Sequence, residues 1–170
     1  MEHHSNQTSW LETIAKVEVI PPSEDGLFSI NNLKVLLETY KDRPLKIASV
    51  VGGSNVTGIQ TPYHDIAKLM HQNGGVCFVD FACSAPYVDI NMHPEDDEQA
   101  LDAIFFSPHK FLGGPGTSGV LIFNKKLKVK IPVEKQNKTF PLKSISQFIF
   151  YFPTFKMLRF YFFKKTTIWG

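Results

Sequence analysis

Between Ile104 and Phe123 the chain reads IFFSPHKFLGGPGTSGVLIF, with a lone lysine, Lys110, set between an apolar run and a glycine-rich turn, beside Ser107 and His109. An amine at the base of an apolar, partly desolvated cleft loses proton affinity and becomes a nucleophile towards an aldehyde. Upstream, VCFVDF (Val76 to Phe81) is apolar except for Asp80. A carboxylate in such a run is costly to bury unless a cation faces it. A nucleophilic lysine and a buried acid that needs a cation are therefore the two groups with chemistry to explain. The glycines have a blander role. Gly114 to Gly119 fits G-x-G-x-x-G, but a dinucleotide site requires a helix after the loop, and GVLIF reads as a strand. The expectation is a turn between two strands. A nucleotide-binding module would need a helix after Gly119.

The elements that must position these residues alternate along the chain. Lys16 to Ile20 (KVEVI), Lys46 to Val51 (KIASVV), Val76 to Phe81, Ala103 to Phe106 (AIFF) and Gly119 to Phe123 read as strands. Asn31 to Tyr40 has Leu33, Leu36 and Leu37 at helical spacing, capped by Asn31 or Ser29. Thr61 to Asn73 opens with Thr-Pro and closes on Gly74-Gly75, the signals of a second helix. Strands apolar on both faces, alternating with helices, predict an α/β fold: three layers, a mainly parallel sheet with helices on both faces. Ligands gather at the carboxyl ends of the strands in such sheets. Asn55 and Thr57, Asp80, and the set Ser107, His109 and Lys110 follow three successive strands and fall at that edge.

Pyridoxal phosphate (PLP) is the commonest aldehyde held by a lysine. It calls for a Schiff-base lysine, a carboxylate at its pyridinium nitrogen, a side chain stacked on the ring, and small donors for its phosphate. Lys110, Asp80, His3 and the Ser107/His109 pair supply these in turn. Four motifs carry a resemblance as well: MEHHSNQTSW with His3, GGSNVTG with Asn55, FVDFACSAPYVDI with Asp80, and SPHKFLGGPGTSGVLIF with Lys110. Together, from Met1 to about Leu127, they resemble the class V aminotransferase family, which includes cysteine desulfurases and selenocysteine lyases, PLP enzymes of fold type I.

The resemblance implies that Lys110 holds the cofactor and moves the proton on the substrate α-carbon, and that Asp80 binds the ring nitrogen. It implies that His3 stacks on the ring, that Ser107 and His109 reach the phosphate, and that Asn55 lies near the substrate carboxylate. His4 and Trp10 match as structural neighbours. Cys83 stands where the family places a glutamine near the cofactor's phenolic oxygen; it is carried as a cofactor-site position, beside its plainer role as a small buried hydrophobe. The substrate class implied is an amino acid, with cysteine, selenocysteine and others left open, in a homodimer with sites near the subunit interface. Family members are much longer. The expectation is a chain that begins within their large domain and lacks both their upstream phosphate-binding turn and their small domain. The alternative function is a truncated, non-catalytic fragment or interaction remnant.

Charge divides the 170 residues. Residues 1–123 hold 7 Lys+Arg against 15 Asp+Glu, whereas 124–170 hold 11 Lys+Arg, a single acid (Glu134) and eight of the 15 Phe. The shift marks a boundary, with a partial PLP-binding domain over 1–127 and a basic, aromatic-rich tail over 128–170. Translated non-coding sequence, a membrane-surface segment and a nucleic-acid contact compete for the tail. Composition favours the first, and no nucleic-acid partner is expected. The longest apolar run there, Phe148 to Phe152, is far short of the roughly 20 residues of a membrane span. Two cysteines, Cys77 and Cys83, form no disulfide framework, and the histidines show no metal-ligand spacing, so no metal is expected. The N-terminus lacks the marks of a signal or transit peptide, making the cytoplasm the default location.

Overall fold

Alternation along each strand sorts the side chains onto two faces, and the helices follow that sorting. The structure, a computed structural model, describes residues 2–114 and 116–127 and the backbone of 147–152. Five strands run in sequence order across one sheet: β1 (Ile47–Val51), β2 (Val76–Asp80), β3 (Ala103–Phe106), β4 (Gly119–Asn124) and β5 (Gln147–Phe152). The first three are parallel, with Val51 opposite Asp80 and Asp80 opposite Phe105. β4 and β5 add on antiparallel. A strand follows Gly119, so the glycine-rich segment is a turn within the sheet, and the nucleotide-binding alternative fails for want of a helix.

Helix α2 (Ile30–Thr39) contributes Leu33 and Leu37, and α3 (Tyr63–Gln72) contributes Ile66, Ala67 and Met70, to one core with Ala48, Val50, Cys77, Val79 and Ile104. Helix α1 (His4–Leu11) lies on the opposite face. There the Ser49 hydroxyl donates to Asn6 Oδ1 at 2.9 Å, and the Trp10 ring sits 6.1 Å from that of Phe78. Helices thus cover both faces of a mainly parallel sheet, and Asp80 belongs to the face that α1 covers.

Capping accounts for the helix ends. The Ser29 hydroxyl accepts the Asn32 amide, making Ser29 rather than Asn31 the cap of α2. After α3 the chain turns through Gly74 at φ +67°, the left-handed region glycine tolerates. Sequence signals miss α1, because HSNQTSWL has no apolar period. Its turns are tied by side chains instead: Ser9 Oγ donates to the Ser5 carbonyl and Thr8 Oγ1 to that of His4. One strand expectation is wrong: Lys16 to Ile20 forms no regular element and pairs with nothing among the described residues. Pro21 and Pro22 remove ladder donors at its end. Lys16 and Glu18 spend their side chains on the Tyr40 hydroxyl at the end of α2, while Val19 faces solvent. The 128–170 tail lies outside the described residues, apart from the β5 backbone.

Candidate active site

The carboxyl edge of the parallel strands collects the polar residues. Asp80 ends the central strand β2 and is 5% exposed. Its Oδ1 accepts the Ala82 amide at 2.8 Å, while no group among the described residues hydrogen-bonds Oδ2. Burial pushes its pKa up, the Ala82 hydrogen bond opposes that, Glu2 adds to the rise, and Lys110 and His3 pull it down. Glu2, His3 and Lys110 therefore lie within electrostatic reach of one buried carboxylate, although they come from opposite ends of the described chain.

Two loops flank Asp80. After β1, Gly52 donates its amide to the Asp80 carbonyl at 2.7 Å. A Cβ on Gly52 would lie 2.7 Å from the Phe81 ring, so only glycine lets this loop close on the strand beyond Asp80. Buried Ser54 accepts the Val56 and Thr57 amides, which turns Asn55 and Thr57 outward into solvent. After β3, Ser107 is 2% exposed and opens a short 3-10 turn, Pro108–Lys110. His109 is half-buried and Lys110 is exposed. Gly114 folds back on that turn, where a Cβ would meet the Pro108 carbonyl.

His3 caps α1: its Nδ1 accepts the Ser5 amide at 3.2 Å and lies 2.7 Å from Ser5 Oγ. Asn55 and Cys83 share no hydrogen bond with Asp80, Lys110, His3, Ser107 or His109 among the described residues. Two expectations are corrected here. Lys110 is not desolvated, because a three-residue turn projects it from the edge. Cys83 is half-buried in the turn after β2 rather than buried. The free, fully buried thiol is Cys77, whose pKa is pushed up by burial first and by Asp102 second, which makes it inert.

Two further histidines, His64 and His71, are structural. His64 Nδ1 donates to the Gln99 carbonyl and His71 Nδ1 to that of Glu98, latching α3 to the 3-10 turn Asp97–Gln99. Among the described residues no cluster of His, Cys, Asp and Glu could hold a metal. No helix there is long and apolar enough to cross a membrane.

Sequence reasoning missed Glu2. Its Oε2 accepts the Val51 amide at 2.9 Å and its Oε1 accepts Asn6 Nδ2 at 2.8 Å. The spacing Glu2, Asn6, Trp10, four residues apart across the start of α1, was the available signal.

The mixed, mainly parallel sheet with its polar carboxyl edge is the architecture of PLP enzymes of fold type I. Among solved structures, the NifS-like protein from Rickettsia africae superposes with a TM-score of 0.58 at 22% identity, over 71% of this chain and 32% of that one. The family model described as Aminotransferase class-V matches residues 1–153, and the chain belongs to that family. A probable cysteine desulfurase of Halalkalibacterium halodurans is 34% identical over 139 residues, 79% of this chain and 32% of the relative. A cysteine desulfurase of Haloferax volcanii is 32% identical over 120 residues, 68% of this chain and 26% of the relative. The chain thus spans about a third or less of the length of these relatives.

Proposed function

We propose that this chain carries the PLP-binding centre of an enzyme that acts on an amino acid in the manner of a cysteine desulfurase or selenocysteine lyase. The observation that carries this reading is Asp80: a buried carboxylate with one open oxygen, at the carboxyl edge of the sheet, within reach of a lysine and a histidine. A site of that kind fits a pyridinium nitrogen, because a cation against Oδ2 would offset the burial of the charge. Bound PLP supplies an electron sink for the substrate α-carbon. Lys110 would provide the amine that holds the cofactor, and its Nζ would take and return the substrate α-carbon proton. Its exposed position on a short turn gives that amine freedom to swing. Asp80 would keep the ring nitrogen protonated, His3 would cover the ring, and Ser107 and His109 would donate to the phosphate. Asn55 is assigned to the substrate carboxylate and Cys83 to the region of the phenolic oxygen. The family resemblance supports a homodimer.

Titrating PLP into the parent and an Asp80→Asn variant tests this. Loss of the ion pair should weaken cofactor binding by about tenfold or more, since hydrogen bonds to charged groups are worth about 1.5–3 kcal/mol. Equal affinities would remove Asp80 from the site. A non-catalytic interaction remnant is the second reading, favoured by the exposure of Lys110. It predicts a folded chain that binds no PLP at all.

A further inference from the structure

Helix α1 has little apolar surface with which to hold itself on the sheet. Only Asn6 and Trp10 are buried along its eight residues. Trp10 anchors the far end on Phe78. At the near end, the His3 ring hydrogen-bonds only to Ser5 in its own cap among the described residues, which fixes the ring within the helix but not on the sheet. The docking there is polar. Asn6 Oδ1 accepts both the Ser49 hydroxyl at 2.9 Å and the Trp10 indole N–H at 3.2 Å. The Asn6 amide then donates to Glu2, and the second Glu2 oxygen takes the backbone amide of Val51. Val51 is the last residue of β1 and stands opposite Asp80 in the register. A peptide amide at a strand end needs an acceptor, and a carboxylate is the strongest one a side chain offers.

We propose that Glu2 is a positioning residue: by riveting the start of α1 to the end of β1, it sets the His3 ring beside Asp80, where the cofactor ring is to lie. The inference rests on the proposed function for its meaning but not for its test, because the rivet exists without cofactor. Glutamine at this position offers one carbonyl oxygen to two donors and restores half of the link. Alanine restores none. Ser49→Ala breaks the same hydrogen-bond chain on the far side of Asn6, leaving the Glu2–Val51 bond in place.

The test is NMR on the isotope-labelled full chain, reading amide exchange at Val51 and the His3 imidazole signals, before and after addition of PLP. Without PLP, Glu2→Ala should speed exchange at Val51 by about tenfold and shift the His3 ring signals, with Glu2→Gln intermediate. With saturating PLP, the cofactor-induced shift of the His3 ring should be lost in Glu2→Ala and kept in Ser49→Ala. A role confined to docking the helix would affect both variants alike, and that result overturns the proposal. So does unchanged Val51 exchange in Glu2→Ala. If the parent shows no PLP-induced shift, the proposed function fails, while the cofactor-free measurements still decide whether Glu2 sets His3.

Discussion

Asp80 works against the stability of the cofactor-free chain. The fold raises its proton affinity, first by burial, with Glu2 adding to the effect against the pull of Ala82, Lys110 and His3. The folded chain therefore holds the Asp80 proton more tightly than the unfolded one. The stability this contributes is complete below the ordinary carboxylate range near pH 4 and is lost as pH rises through the folded value. Asp80→Asn keeps an acceptor for the Ala82 amide and carries no charge. Without PLP it should be more stable than the parent near pH 7, with the gap closing as pH falls towards about 4. Urea midpoints across that range measure it, and a constant gap would mean the charge is not the cause. At this scale the sequence was informative where a residue clashed with its neighbours. An acid inside VCFVDF and a lysine before a glycine turn stand out. Glu2 does not, because its role lies in two hydrogen bonds made after α1 docks, one of them to backbone 49 positions away.

Loops and helices hold these residues through close approaches that composition does not display. Gly52 is the sharpest. Its missing Cβ leaves room for the Phe81 ring, which is fully buried and packs edge-on against Tyr63 with centroids 5.1 Å apart. Gly52→Ala should destabilise the chain by about 1–3 kcal/mol through overpacking, read from the urea midpoint, and Phe81→Leu in the same chain should recover part of that loss. At the opposite edge, His71 joins three elements. Nδ1 donates to the Glu98 carbonyl, and Nε2 lies 2.8 Å from Asp102 Oδ2, which also accepts the Cys77 amide. His71→Ala should cost about 2 kcal/mol and speed exchange at the Cys77 amide, as expected for a lost partner of a half-buried carboxylate. Element type was legible where one local signal sufficed: the leucine spacing of α2, the glycine stop of α3, the apolar runs of β1 to β4. It was not legible at KVEVI, whose alternating Val and Ile fit a strand, because pairing depends on a partner and not on propensity. Nor was it legible at α1, whose turns are tied by Ser and Thr side chains and whose docking is polar.

Across the whole molecule, a parallel sheet brings distant sequence to one edge. The loops after β1 and β3 flank β2 because the strands lie in sequence order, and α1 brings His3 in over the same face. The convergence of the loops after the strands was readable in advance, since alternating strands and helices fix the edge at which ligands gather, whereas the approach of α1 was not. The burial of each group was not. Ser107 is buried, whereas Lys110 projects from a three-residue turn that no sequence pattern distinguishes from a cleft wall. The family match over residues 1–153 also takes in β5, beyond the boundary that charge and aromatic content suggested at residue 127.

The central claim is that this fold presents Lys110 to PLP. Its most direct test is to incubate the folded chain with PLP, reduce with borohydride, digest, and map the cofactor-bearing peptide by mass spectrometry. The account predicts modification on the peptide containing Lys110, prevented by Lys110→Ala without loss of the fold. Label spread over exposed lysines such as Lys16 and Lys41, or none on Lys110, would contradict it.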